Sequence, residues 1–223
     1  MLFASSSLLA LVATATASRI SFSPSGKASA RAVQRAFEAA NIPEDLTITF
    51  NPSAILDVSF LQPDGCTVDL HPGQNVPRNQ TASAPSFALH FPGRSGASAN
   101  ASASGTFVVF MIDPDAPSPQ NRSFSEIRHF LGGDLYPNHH GGLANHTAAI
   151  SEYLQPTPPP ESAAHRYVFL AFLQSKEFAS QTLVNASTPI FLFNVSQFAA
   201  ETGLGSPIAG NFMLVAPAED SVA

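Results

Sequence analysis

The segment Asp113-Pro114-Asp115-Ala116-Pro117-Ser118 places two carboxylates on either side of one proline, with a second proline close behind. It follows directly on the apolar run Thr106-Phe107-Val108-Val109-Phe110-Met111-Ile112. Each proline fixes its own φ and biases the residue before it away from the α region. Both acids are therefore held stiffly at the mouth of a buried strand before any ligand arrives. Downstream lie His129, in Glu126-Ile127-Arg128-His129-Phe130, and His165-Arg166-Tyr167, which opens a second apolar run. Taken alone, Asp-Pro-Asp is a tight turn, since Asp and Pro dominate turns. With two histidines, an arginine and a tyrosine also at strand mouths, the set describes a polar pocket.

Those residue types suit a phosphate-type anion, which needs several convergent donors. His129 and His165 can each donate through a ring nitrogen, and Tyr167 offers a neutral phenolic O–H. A carboxylate beside an imidazole holds its tautomer and favours the imidazolium, so an acid can help build an anion site. Asp113, His129 and His165 could also do the acid–base work of a hydrolase. No Gly-x-Ser-x-Gly elbow or phosphate-binding Gly-Lys loop accompanies them, however, and no nucleophile is flanked by a base. His139-His140 and His146 lack metal-ligand spacing and read as a solvated loop. The expectation is a chain that is not an enzyme and needs no cofactor.

The elements that position these residues are mostly strands. Across 223 residues, 44% are apolar and only 12% charged, which fits a large core; eighteen Phe and no Trp make that core phenylalanine-rich. Nineteen prolines and thirteen glycines favour short strands and ordered turns over a helical bundle. Val33, Ala36, Phe37 and Ala40 fall at helical spacing within Ser29 to Asn41, and Pro43 stops the pattern. Strands are expected over Leu46 to Phe50, Ile55 to Phe60, Ser86 to Phe91, Thr106 to Ile112, Arg128 to Leu135, Tyr167 to Gln174 and Ile190 to Asn194. Residues 73–86 and 93–105 read as exposed loops, and 196–202 as a short helix ending at Gly203. Cys66 stands alone, which excludes an internal disulfide, and reads as a buried strand residue. The formal charge of −6 argues against a nucleic-acid surface.

The N-terminus reads as a secretory leader over residues 1–17. Leu8-Leu9-Ala10-Leu11-Val12 forms the apolar stretch and Ala15-Thr16-Ala17 the small-residue cleavage pattern. That leaves residues 18–223 as one domain with no transmembrane segment. Asn79, Asn100, Asn121, Asn145, Asn185 and Asn194 all stand in Asn-x-Ser/Thr sequons, six of eleven asparagines, which points the same way. The expected product is a secreted glycoprotein, outside the cell or in a vacuole.

Asp113-Pro114-Asp115-Ala116-Pro117-Ser118, the Glu-x-x-His segment ending at His129, and His165-Arg166-Tyr167 before an apolar strand together resemble the phosphatidylethanolamine-binding protein family. The similarity runs over roughly residues 28–216 and is strongest from Thr106 to Gln174. It implies a mainly β fold with a large central antiparallel sheet, a smaller flanking sheet and a few peripheral helices. It also implies that Asp113, His129, Pro159, His165 and Tyr167 line a pocket for a phosphate-type anion or phospholipid headgroup. Asp115, Pro117 and Arg166 read as framework, with Asp115 and Arg166 an ion pair bracing the rim. Within Gln155-Pro156-Thr157-Pro158-Pro159-Pro160 the two prolines of the family pattern remain. Gln155, Thr157 and Ala163 stand where glycine is common in the family, and Ile127 replaces an aromatic, so the mouth is expected to be narrower. Fungal members of the family suggest a second role, inhibition of a serine carboxypeptidase or other protease by protein–protein contact.

Overall fold

A computed structural model describes residues 29–92, 105–138 and 142–218. The expected leader, Asn100, and His139-His140 lie outside these residues. The chain order is α1 (Ala30–Ala39), α2 (Ile42–Asp45), β1 (Ile55–Leu61), β2 (Thr67–Asp69), β3 (Gln74–Asn75), a 3-10 turn (Arg78–Thr81) and β4 (Ser86–His90). There follow β5 (Phe107–Asp113), β6 (Ile127–Pro137), β7 (Leu143–Asn145), β8 (His165–Leu173), α3 (Lys176–Ala179), α4 (Val195–Glu201) and β9 (Ala209–Val215). A six-stranded sheet runs β3-β9-β8-β5-β6-β7, and a three-stranded sheet runs β2-β1-β4. All neighbours are antiparallel except β3 and β9, so the large sheet is mixed at one edge.

Strand alternation sorts the core into two layers. β5 is buried along its whole length, because both faces of its sheet are covered. Val108, Phe110 and Ile112 point to the side where α1 and α4 contribute Val33, Phe37 and Phe198. Phe107, Val109 and Met111 point to the small sheet, meeting Leu56, Val58 and Phe87. Each such side chain contributes about 1.5–3 kcal/mol when fully buried. α1 starts where Ser29 accepts the Ala32 N–H at 3.2 Å, an N-cap that satisfies one of its orphan donors.

Several expectations change. Leu46 to Phe50 is not a strand: Pro43 opens α2, where a missing N–H is harmless, and Thr47 then turns the chain at a φ of 53°. Phe50 instead stacks on Phe37, ring centres 4.1 Å apart. Ile190 to Asn194 is not a strand either, since Leu192 adopts a φ of 54° and breaks the extended run. The loop expected over 73–86 contains β3 and the 3-10 turn. Cys66 is exposed, because the turn Pro63-Asp64-Gly65 lifts it ahead of β2 and Asp64 Oδ1 accepts its N–H at 2.9 Å.

Candidate functional site

Asp113 ends β5 and His165 begins β8, side by side at one rim of the large sheet. Alternation along β8 sends His165 and Tyr167 toward the small-sheet side and Arg166 away from it. On β6 the ladder slips by one residue: Met111 faces Phe130, whereas Ile112 faces Arg128 and Asp113 faces Ile127. His129 is the extra residue of that bulge. A bulge re-aims the side chain it carries, and here it brings His129 to the face that holds Asp113 and Tyr167. The result is a cavity of about 270 Å³ whose walls include Asp113, Pro117, His129, Pro159, His165 and Tyr167. Five apolar side chains, Phe124, Ile127, Leu154, Ile190 and Phe191, form its collar.

All five residues expected to bind ligand thus converge, and Pro117 joins them, while Asp115 and Arg166 stand outside the wall. The departures from the family pattern fall on the wall itself: Ile127, Gln155 and Thr157 line it, and Ala163 does not. The former strand candidate 190–194 supplies Ile190 and Phe191 to the mouth, where Phe191 is 54% exposed despite its apolar side chain.

The polar atoms are largely engaged. His165 Nδ1 donates to Asp113 Oδ2 at 2.8 Å, and its Nε2 shares a 2.9 Å bond with the Ser162 hydroxyl. Asp113 Oδ1 accepts the Asp115 N–H at 2.7 Å. His129 Nδ1 lies 2.9 Å from the Leu154 carbonyl, and its ring meets Tyr167 edge-on with centroids 5.1 Å apart. Burial pushes His129 below the usual histidine range, against the opposing pull of the Leu154 bond and the Asp113 charge. Burial and the Asp113 charge push the Tyr167 phenol up, so it stays a donor.

Ser162 was invisible as a partner in the sequence reading. Its order with His165 and Asp113 is that of a nucleophile, base and orienting acid. The signal available was its position three residues before His165, where the Ser162 N–H turns back onto the Pro159 carbonyl at 3.2 Å. Ser162 is not part of the cavity wall.

Behind the rim, Asp115 and Arg166 form the expected ion pair, at 2.9 Å from Nε to Oδ2 and 2.6 Å from Nη2 to Oδ1. The pair extends to Asp45 of α2, 2.7 Å from both Arg166 and Arg122. Burial lowers the Arg166 pKa and the Asp115 and Asp45 carboxylates raise it; the carboxylates prevail. Burial opposes the Asp45 charge too, yet the two guanidiniums hold its carboxyl below the ordinary range. Two more buried ionisable residues escaped the sequence reading. Arg128 bonds Ser151 Oγ at 2.6 Å and the Thr188 carbonyl at 3.1 Å, with its guanidinium 5.0 Å from the centre of the Phe193 ring. Glu126 accepts the Val195 N–H at 2.9 Å, but burial dominates and lifts its carboxyl to about 8.

A family model for phosphatidylethanolamine-binding protein matches residues 67–213, which contain every strand of the rim. The chain belongs to the phosphatidylethanolamine-binding protein family. Among curated relatives, CEN-like protein 4 of Nicotiana tabacum is 34% identical over 106 residues, covering 48% of this chain and 56% of its own length. The match therefore spans little more than half of that relative. Phomoidride biosynthesis cluster protein N of Talaromyces stipitatus is 29% identical over 178 residues, 75% of this chain and 87% of its own. Among solved structures, carboxypeptidase Y inhibitor complexed with its cognate proteinase superposes with a TM-score of 0.70 at 26% identity, covering 85% of this chain and 97% of that one. In this family member the larger sheet is mixed and the smaller one antiparallel, as the topology above describes.

Proposed function

We propose that this chain is a non-enzymatic binding protein whose rim cavity takes a phosphate-type anion or a phospholipid headgroup. The observation that carries the reading is the convergence of His129 and Tyr167, ring against ring, on a 270 Å³ cavity with an apolar collar. Asp113, His165 and Pro159 complete its wall, and Asp115, Pro117 and Arg166 support the rim. The Ser162–His165–Asp113 series serves to orient His165, since the Ser162 hydroxyl and the Asp113 carboxylate hold its two ring nitrogens and Ser162 itself is not among the wall residues. The mature unit is the single domain 18–223, secreted and glycosylated. Exposure of Asn79, Asn121, Asn145, Asn185 and Asn194 supports that, since a sequon must be reachable to be modified. Among the described residues no helix is long and apolar enough to cross a membrane.

A thermal melt with and without millimolar phosphorylethanolamine tests the reading. A ligand that binds only the folded state raises the midpoint by mass action. The shift should appear in the wild type and shrink in Tyr167→Phe, by the equivalent of about 0.5–1.5 kcal/mol for one hydrogen bond. An equal shift in both proteins would remove Tyr167 from the site.

The likeness to carboxypeptidase Y inhibitor favours a second reading, inhibition of a serine carboxypeptidase by surface contact. It predicts a stoichiometric complex and loss of peptidase activity that survives Tyr167→Phe. Full peptidase activity in the presence of a large molar excess of this chain would sink it.

A further inference from the structure

Two imidazoles line the cavity, and they differ in what they can offer an oxyanion. His165 has no ring nitrogen left for a ligand: Nδ1 is held by Asp113 and Nε2 by Ser162. His129 has one. Its Nδ1 faces the Leu154 carbonyl, which only accepts, so Nδ1 carries a proton in either charge state. In the neutral ring Nε2 is then a bare lone pair, without a hydrogen-bond partner among the described residues. An oxyanion placed against it would set acceptor against acceptor.

Among the described residues, the surroundings bring Nε2 a neutral hydroxyl donor but no cation to offset the lone pair. From β5 the ionisable group facing His129 is Asp113, whose two oxygens are already engaged by His165 and the Asp115 N–H. From β8 they are His165 and Tyr167, and only the Tyr167 hydroxyl is a donor. The wall residues Leu154, Gln155, Thr157 and Pro159 bring no ionisable side chain, and neither do Ile190 and Phe191. On its own strand Arg128 is turned to Ser151 and Thr188, and Glu126 to Val195. Burial meanwhile favours the neutral ring.

Resting on the anion reading, we propose that the cavity binds its oxyanion together with one proton, held between His129 Nε2 and the bound oxygen. The proton comes from solvent and returns there on release; no covalent bond forms or breaks. Occupancy therefore tightens as pH falls. The ligand class is an oxyanion that either brings a P–OH or enters when Nε2 is protonated. A free phosphate can do the first, whereas the diester of a lipid headgroup can do only the second.

Sulfate is the probe that isolates the proton, because it has none of its own to exchange between about pH 5 and pH 8. Calorimetric titration of the purified chain with sulfate, in two buffers of different ionisation heat, reads proton uptake directly. The expected result is uptake approaching about one proton per sulfate, with affinity falling about tenfold per pH unit once His129 is neutral. His129→Gln keeps an N–H donor that does not titrate, and should bind sulfate with an affinity nearly flat in pH. Glycerophosphoethanolamine, a diester headgroup without tails, should follow the sulfate slope, while inorganic phosphate should weaken less steeply below its second pKa. Binding of inorganic anions without glycerophosphoethanolamine would assign the cavity to free oxyanions. Sulfate affinity independent of pH, with no uptake, overturns the proton coupling and leaves the anion reading intact. A wild-type slope retained in His129→Gln overturns His129 as the carrier. No binding of any of these anions across the range overturns both readings.

Discussion

The cavity and the ion-pair cluster behind it are built from the same two short segments, Asp113-Pro114-Asp115 and His165-Arg166-Tyr167, yet they end in opposite electrical states. Asp115 and Arg166 face the helix side, where each guanidinium meets carboxylates and each carboxylate meets guanidiniums at 2.6–3.4 Å. Asp113, His165 and Tyr167 face the small-sheet side, where hydrogen bonds tie up every polar atom but one or two. Neighbouring residues of one strand thus close an ion-pair cluster on one face and line an open cavity on the other. A charge matched within the fold braces the rim, and the proposed binding role falls to the face where such matching is incomplete.

Breaking that contrast should produce a graded set of effects. Arg166→Ala removes the more buried of the two guanidiniums that Asp115 and Asp45 share and leaves only the outer Arg122, and should cost about 3–5 kcal/mol in denaturant unfolding. Asp113→Asn keeps an acceptor for His165 but loses the charge, and should cost about 1.5–3 kcal/mol by the same assay. A larger penalty for Asp113→Asn than for Arg166→Ala would reverse the division of labour between the two faces. Glu126 is a third case, a buried acid with a neutral partner. Its folded pKa of about 8 exceeds its ordinary 4.5, so between those values the folded state holds more protons than the unfolded one. Stability should then fall by about 1.4 kcal/mol per pH unit as pH rises through that window, and Glu126→Gln should flatten the slope. Stability curves for the two proteins that run parallel would remove Glu126 from the account. Arg122, whose side chain is 37% exposed, pairs with Asp45 from the outside. Arg122→Ala should cost under about 1 kcal/mol, and the loss should fade in high salt.

Legibility in the sequence followed the same contrast. β5 and β8 were plain as apolar runs, and Asp113, His165 and Tyr167 were placed by standing at their ends. Arg166 and Asp115 were placed as a pair, but Asp45 was not, because nothing local ties α2 to the rim. β9 was missed altogether, since Gly210 and Asn211 interrupt its apolar pattern. The fold needs both: a Cβ at 210 would lie 2.8 Å from the Phe37 ring and 2.9 Å from the Phe169 carbonyl, and Asn211 bonds the Leu56 and Leu70 carbonyls across to the small sheet. Segments 46–50 and 190–194 failed in the other direction. Their residues favour strands, but tertiary contacts and the positive φ of Thr47 and Leu192 decided otherwise. The aim of His129 depends on a one-residue slip in pairing, which no periodicity in β6 announces. Family resemblance located it where alternation could not.

The pairing of β3 with β9 joins residues 74–75 to residues 213–214, and β5 lies against β8 across more than fifty intervening residues. During synthesis, therefore, the β3 side of the large sheet stays unpaired until β9 has left the ribosome. Such long-range closure makes for slow folding and leaves half-built sheets open to wrong partners. The cavity wall keeps a different schedule: its lining runs from Asp113 to Phe191, so it can close only once residues 190–191 have been delivered, some eighty residues after its first carboxylate.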